Sequence, residues 1–229
     1  MSFIDKTNIV IKKNNNDLYY FDIDKDIVLT KINNKNDILL PKILFTGDYS
    51  FVDIWLDTNE KDNIYGIIND KKGKILNLNI EEDNIDKHTM IKYDYKNFIV
   101  KFPYTKHIYN IKHTIYYSIN KSIPLLANLI HIYEDDNIYV KNTIDFIDYN
   151  ILSNFVVAYS NNRPIIFYFK LVDKFEELFV STFDLNSRSW SKPIQITKSN
   201  KNKIYLSVLQ DESSNYHIVF SENHDNKYY

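Results

Sequence analysis

The chain has 229 residues, a formal net charge of −2 and no cysteine. The slightly negative charge excludes the basic surface on which nucleic-acid binders depend, and the lack of cysteine excludes disulfides and thiol catalysis. Hydrophobic residues make up 44% of the chain and aromatic residues 15%. This composition can bury a core and excludes intrinsic disorder.

The N-terminal segment carries no basic stretch followed by a long apolar run, and no apolar run approaches the roughly 18 residues of a membrane-spanning helix. The sequence therefore predicts synthesis in the cytoplasm and no membrane span, and it leaves the cell or spore surface open as a location. The abundance of Asn, Lys, Ile, Tyr and Asp is typical of an AT-rich genome, such as that of a clostridium-like bacterium.

One short pattern, a polar turn followed by an aromatic or β-branched run, recurs five times along the chain. Its centres fall at Tyr19, Tyr65, Tyr116, Ile166 and Ile218, which are 46, 51, 50 and 52 residues apart. Steps of about 50 residues are typical of β-propeller blades and too long for most helical repeats. The repeat therefore predicts an all-β protein, a β-propeller with about five blades of four-stranded antiparallel sheet.

The first two units are predicted as hairpins, because Asn and Asp favour tight turns whereas Tyr, Ile, Val and Phe fit a pleated surface. With only three glycines in the chain, Asn and Asp are expected to take the positive-φ turn positions. The first unit has predicted turns at 14–17 and 22–25 and strands at 18–21 and 26–32, and the second has turns at 59–63 and 69–73 and strands at 64–68 and 75–80.

Of the remaining three repeat units, the fourth has the clearest pattern, with four predicted strands. The third unit has a strand at 114–119, a longer excursion through 123–126 and a strand at 137–144. The fourth unit has strands at 155–159, 165–169, 178–183 and 194–197. The fifth unit has strands at 204–209 and 216–221. Only the start of a third strand follows in the fifth unit, so the last blade is predicted to be incomplete.

Three explanations account for the incomplete blade. The segment Ile9-Val10-Ile11 could supply the missing strand, two copies of the chain could pair through their edges, or the chain could be the front part of a longer protein. The turn-like residues 223–229 favour the last explanation. Because no Gly/Ser/Pro-rich linker interrupts the repeat, residues 1–229 are predicted to form a single domain.

A core between the blades is predicted from alternating residues on the second strand of each unit. These residues are Leu18, Tyr20, Ile64, Ile67, Ile115, Tyr117, Ile166, Tyr168, Ile218 and Phe220.

Residues 181–190, STFDLNSRSW, resemble the Asp-box turn of sialidase-like propellers, with a turn one residue longer and no glycine. In that family the box is a structural fastener remote from the active site, so the resemblance implies a propeller hairpin. Sialidase activity would further imply three arginines that clamp a carboxylate, since guanidinium makes paired bonds that Lys cannot copy. The chain has only Arg163 and Arg188.

No metal, cofactor or catalytic residue is predicted. Asp22, Asp24 and Asp26 alternate as in a calcium loop, but Ile27 stands where that loop needs Gly and Asn33 where it needs Glu. The histidine pairs His107/His113 and His217/His224 match no zinc spacing, and Trp55 and Trp190 are expected to pack between blades.

A five-bladed glycoside hydrolase resembles this chain in size and blade count, and it would need an acid and a base or nucleophile across a central pocket. Carboxylates at plausible positions are Asp53, Asp57, Asp145, Asp148, Asp211 and Glu212. None lies in a signature of that family, and an Asp in a strand-end turn is the simpler interpretation.

The sequence therefore favours a non-catalytic β-propeller scaffold that presents a rigid face to a protein partner, with a glycan as the next candidate partner. The alternative is a carbohydrate-binding or glycoside hydrolase domain. Three carboxylates from different blades converging in one cleft would favour the enzyme.

Overall fold

The computed structural model describes residues 7–35, 37–59, 61–81, 84–148, 154–225 and 227–229. Its contacts divide the chain into two compact units, Met1–Lys96 with Val100–Thr105, and Asn97–Ile99 with Lys106–Tyr229. The prediction of a single domain over residues 1–229 stays a prediction. No helix in the described ranges is long and apolar enough to cross a membrane.

The first unit contains two antiparallel sheets whose strands neighbour one another in chain order. The first sheet comprises β1 (Thr7–Lys12), β2 (Leu18–Ile32) and β3 (Lys42–Tyr49). A single turn of 3-10 helix (Phe51–Asp53) leads to the second sheet, which comprises β4 (Ile54–Thr58), β5 (Ile64–Asn69), β6 (Lys74–Glu81) and β7 (Asn84–Lys92). Side chains from both sheets, among them Phe21, Ile27, Ile64 and Leu78, form one buried apolar cluster.

Three further sheets follow along the chain. The third comprises β8 (Phe98–Ile108), β9 (Ile111–Asn120), β10 (Leu126–Glu134) and β11 (Tyr139–Asp148). The fourth comprises β12 (Val156–Ser160), β13 (Arg163–Val172), β14 (Phe175–Asp184), β15 (Ser189–Trp190) and β16 (Ile194–Gln195), of which β15 and β16 both pair with β14. The fifth comprises β17 (Lys203–Gln210), β18 (Tyr216–His224) and β19 (Lys227–Tyr228).

Five successive antiparallel sheets confirm the predicted fold, an all-β protein of the five-bladed β-propeller class. Each of the five repeat centres lies on the second strand of its sheet in chain order. Tyr19 lies in β2, Tyr65 in β5, Tyr116 in β9, Ile166 in β13 and Ile218 in β18. The 50-residue period therefore reports the spacing between equivalent strands.

The predicted turn at 22–25 is wrong, because β2 continues through it from Leu18 to Ile32. Strand β1 pairs with β2 from Leu18 to Ile23, and the polar side chains of Asp22 and Asp24 lie on the exposed face of β2. The register between β2 and β3 shifts after Lys25, which has a φ of 66°, so a β-bulge interrupts the pairing at this point. This pairing also shows that Ile9-Val10-Ile11 completes the first sheet and not the fifth.

The predicted core is confirmed in the second, third and fourth sequence repeats, and it is wrong by one residue in the first repeat. Tyr19 and Phe21 are buried there, whereas Leu18 and Tyr20 are half-buried. Six predicted residues are buried: Ile64, Ile67, Ile115, Tyr117, Ile166 and Tyr168. In the fifth unit, Ile218 and Phe220 are half-buried against an apolar cluster that contains Phe167 and Leu206.

The third unit contains a strand that the sequence pattern did not indicate. Strand β10 begins at Leu126, where an excursion was expected, and pairs with both β9 and β11. Because most of β10 is buried, it lacks the alternation of polar and apolar residues that marks a half-exposed strand. In the fifth sheet, β18 is followed by the two-residue strand β19, which agrees with the predicted start of a third strand. Edge pairing with a second copy of the chain stays a prediction.

Candidate functional site

A cleft of about 250 Å³ opens at one end of the fourth sheet, where β13 begins and β14 turns into β15. The residues that line it include charged, hydroxyl and aromatic types. They are Arg163, Thr182, Phe183, Asp184, Ser189, Trp190 and Ser191.

The turn between β14 and β15 holds Asp184 in place. Its Oδ1 accepts hydrogen bonds from the backbone N–H of Ser187 at 2.7 Å and from the Ser187 hydroxyl at 2.9 Å. These two bonds, with a smaller contribution from the positive charge of Arg163, lower the pKa of Asp184. Arg188 supplies the positive-φ position of the turn at 51°. The segment that resembles an Asp box is thus a hairpin in which the aspartate fastens the turn.

A chain of hydrogen bonds connects Trp190 to strands β10 and β9 of the third sheet. Its indole Nε1 donates to Nδ1 of His131 on β10 at 3.0 Å, and Nε2 of His131 lies 3.0 Å from Nδ1 of His113 on β9. The ring of Phe183 packs 5.3 Å from Trp190 and 4.7 Å from His131, measured between ring centres. The aromatic wall of the cleft is therefore rigid.

The hydrogen-bond chain assigns both imidazole tautomers. Indole nitrogen can only donate, so Nδ1 of His131 is the acceptor and its proton resides on Nε2. That proton is donated to Nδ1 of His113, which leaves the proton of His113 on its own Nε2. This Nε2 is buried, and none of the described residues is its hydrogen-bond partner.

Burial keeps both imidazoles neutral at pH 7. Burial, together with the charge of His107, lowers the pKa of His113 from 6.5 to about 4. Burial and the neighbouring His113 hold the pKa of His131 well below its usual value. Protonating either ring would place a charge in an apolar surrounding, which is unfavourable.

The candidate carboxylates of the first unit serve structural contacts. Asp53 is fully buried and accepts ion pairs from Lys71 at 2.8 Å and from Lys101 at 3.1 Å. Asp57 accepts a hydrogen bond from the backbone N–H of Thr58.

The candidate carboxylates of the second compact unit, which contains residues 106–229, also make structural contacts. Asp145 accepts a hydrogen bond from the Tyr168 hydroxyl at 2.8 Å and an ion pair from Lys170 at 2.8 Å. Asp211 fastens the β17–β18 turn, and bonds from Asn215 lower its pKa to about 2. The last two candidates, Asp148 and Glu212, are exposed.

Three other candidates from the sequence, His217, His224 and Trp55, lie against neighbouring side chains. His217 and His224 are exposed beside Asp211 and Glu222 respectively, and Trp55 packs 4.8 Å from Tyr104. Within the ranges that the structure describes, no group of three or more His, Asp or Glu side chains could hold a metal ion. Sequence reasoning singled out Arg163 and Trp190 but not His131, since a histidine within a continuous apolar run carries no functional spacing signal.

No protein-family model matches the chain, and no curated protein matches it. Several solved structures have a similar fold, among them the three described next. A polysaccharide lyase of family PL25, an ulvan lyase, has a TM-score of 0.62 at 13% identity over 96% of this chain and 62% of that chain. A mutant of AofleA from Arthrobotrys oligospora has a TM-score of 0.57 at 8% identity, over 98% and 67% of the two chains.

The third is Drosophila Plexin A in complex with Semaphorin 1b, with a TM-score of 0.55 at 7% identity, over 95% of this chain and 60% of that chain. The ulvan lyase has also been solved bound to -[GlcA(1-4)Rha3S]-. This chain spans about 62% of the length of the lyase. At such identities the similarity shows the β-propeller fold alone.

Proposed function

We propose that this chain is a non-catalytic β-propeller binding domain, and that the cleft at Arg163 and Trp190 binds carbohydrate. The observation that carries the proposal is the combination of an immobilised indole with a guanidinium and three hydroxyl side chains around one concave site. Aromatic rings stack on the apolar faces of sugars, while guanidinium and hydroxyl groups hydrogen-bond to sugar hydroxyls. Within the described residues, no hydrogen bond occupies the guanidinium of Arg163.

The arrangement of carboxylates supports binding without hydrolysis. Glycoside hydrolysis commonly uses two carboxyl groups roughly 5–10 Å apart, one of which must be protonated to act as the acid. Among the residues that line the cleft, Asp184 is the only carboxylate. Its lowered pKa makes it a poor general acid, and its bonds to Ser187 give it a structural role.

The test is a glycan array followed by calorimetry with the sugar that binds. We expect Arg163→Ala to weaken binding at least ten-fold, whereas Lys174→Ala, which removes an exposed cation from the β13–β14 turn, should leave it unchanged. Because Arg163 is exposed, the variant should remain folded. Absence of any glycan ligand, or equal affinity of the two variants, would overturn the proposal.

A protein partner, the class that the sequence favoured, is supported by a different observation in the first unit. Four large apolar side chains in the β2–β3 connection and at the start of β3 are exposed: Ile38 by 71%, Leu39 by 40%, Leu40 by 93% and Ile43 by 62%. Contiguous exposed apolar residues mark protein-interaction surfaces. The fold is compatible with such a role, since the similar Plexin A structure is a complex with a protein.

The protein-binding candidate is tested by sedimentation and pull-down with the variant Leu40→Ser. Loss of a specific, stoichiometric partner in Leu40→Ser but not in Arg163→Ala would assign the partner to this surface. Self-association that disappears in Leu40→Ser would instead identify a second copy of the chain as the partner. An unchanged partner profile in Leu40→Ser would exclude the surface.

A further inference from the structure

A second pocket, of about 440 Å³, lies within the first unit. It is formed where the turn between β1 and β2 meets the turn between β4 and β5, and the backbone N–H of Asn14 donates to Asp62 across this junction at 2.9 Å. Its lining is almost entirely polar: Lys13, Asn14, Asn15, Asp17, Tyr19, Lys31, Lys61, Asp62 and Asn63. A polar lining favours a hydrophilic ligand over an apolar one.

Lys13 is the unusual residue of this pocket. It is only 9% exposed, and its Nζ lies 5.0 Å from the centre of the Tyr19 ring. Within the described ranges, no carboxylate lies within the 4.0 Å of an ion pair with this ammonium group. A largely buried cation normally has an anionic partner, because losing water without one is unfavourable.

The carboxylates of the pocket are engaged elsewhere. Asp17 accepts hydrogen bonds from the backbone N–H of Asn34 at 2.9 Å and from the Asn15 amide at 3.1 Å, and Lys31 lies 3.6 Å from its second oxygen. Asp62 accepts the bond from Asn14. Lys31 is paired with Asp17, so Lys13 is the buried ammonium group of the pocket to which no carboxylate of the described residues is paired.

We propose that this pocket binds a sugar unit that carries a carboxylate or a sulfate group. The anionic group would lie against the ammonium group of Lys13, and the amide of Asn14 and the amide oxygen of Asn63, whose nitrogen donates to Glu81, would bind sugar hydroxyls. The ammonium groups of Lys13 and Lys31 lie over the Tyr19 ring, at 5.0 and 5.4 Å, and Tyr19 is only 1% exposed, so its ring offers no face on which a nucleotide base could stack. The volume is within the ordinary range of small-molecule sites.

The ligand class is tested by following backbone amide resonances during titration with D-glucuronate, glucose 6-sulfate, D-glucose and sodium sulfate at constant ionic strength. We expect the acidic sugars to shift the resonances of residues 13–17 and 61–63, with at least ten-fold weaker binding of glucose. The two acidic sugars distinguish carboxylate from sulfate recognition. Equal binding of glucose, or sulfate binding as tightly as the sulfated sugar, would overturn the proposal.

The role of Lys13 is tested by Lys13→Met, which keeps the apolar stem and removes the charge. Lys12→Met is the matched control, since it removes the same charge from the adjacent exposed residue. We expect at least ten-fold weaker binding of the acidic sugar for Lys13→Met and unchanged binding for Lys12→Met. Equal binding by both would overturn the assignment.

Two further measurements keep the proposal testable if Lys13→Met does not fold. Lys61→Met changes an exposed pocket residue and should weaken binding of the acidic sugar several-fold, because it removes one of three cations. The variant Arg163→Ala should leave the shifts of residues 13–17 unchanged, which separates this site from the cleft of the fourth sheet. Unaltered affinity in Lys61→Met would contradict the proposed charge recognition.

Discussion

The indole Nε1 of Trp190 donates a hydrogen bond to Nδ1 of His131 across 3.0 Å, although the two residues are 59 positions apart in the chain. This single bond determines which nitrogen of each buried imidazole carries the proton. It also links the wall of the candidate sugar-binding cleft to the interior of the third sheet. Changes to the imidazoles should therefore affect both stability and the orientation of Trp190.

The tautomer assignment is directly measurable. Long-range proton–nitrogen spectra at pH 7.5 should show both His113 and His131 as neutral rings with the proton on Nε2. Trp190→Phe retains an aromatic ring but removes the donor, so His131 should lose its strict preference for this tautomer. A proton on Nδ1 of His131 in the wild-type chain would contradict the hydrogen-bond chain.

Stability should fall on acidification because the unfolded chain binds protons more readily than the buried imidazoles. The pKa of His113 is lowered from 6.5 to about 4, so its contribution is fully present above pH 6.5 and is lost as the pH falls towards 4. At pH 5 this group alone should cost about 2 kcal/mol of the free energy of unfolding relative to pH 7. Urea denaturation at the two pH values measures the difference.

Two variants separate the imidazoles from other titrating groups. His113→Phe removes one buried imidazole and should lose less stability between pH 7 and pH 5 than the wild-type chain. Tyr133→Phe alters a neighbouring ring but retains both imidazoles, so its loss should equal that of the wild type. If His113→Phe shows the full pH dependence, acid sensitivity originates elsewhere.

The core of the fourth sheet depends on Ile166, which is fully buried on β13 between Val157 and Ser181 of the adjoining strands. Ile166→Ala should lower the free energy of unfolding by about 2–5 kcal/mol, through lost burial and the cavity left behind. Val219→Ala removes a side chain that is 65% exposed on β18 and should change it by less than about 0.5 kcal/mol. Similar melting temperatures for the two variants would contradict the strand assignment.

The period of the sequence predicted the fold because every unit places one strongly apolar strand at the same position of its sheet. The phase within a strand was less certain: Leu18-Tyr20 and Tyr19-Phe21 are both apolar, and only packing against β1 and the second sheet decides which pair is buried. The cleft was only partly predictable. Arg163 and Trp190 stood out by residue type, whereas the contact between Trp190 and His131 depends on tertiary structure.

Buried charge also could not be predicted from the sequence, because nothing in the sequence distinguishes Lys203 from the more exposed lysines around it. Its side chain is fully buried, and Nζ binds Glu177 at 2.9 Å and the backbone carbonyls of Glu176 and Lys201 at 2.9 and 2.7 Å. Burial raises the pKa of Glu177, but hydrogen bonds from Thr197 and Lys203 outweigh burial and keep this pKa below its usual value. Glu177 is therefore ionised at neutral pH and needs its cation.

Lys203→Met should destabilise the chain by about 3–5 kcal/mol, because it leaves the Glu177 carboxylate buried without a cationic partner. Lys201→Met, two residues away and partly exposed, should cost less than about 1 kcal/mol. The double variant Lys203→Met/Glu177→Met should be more stable than Lys203→Met alone, since no unpaired charge remains. Guanidinium denaturation of the three variants measures these differences, and a double variant less stable than Lys203→Met would show that the lost packing, and not the orphaned carboxylate, causes the destabilisation.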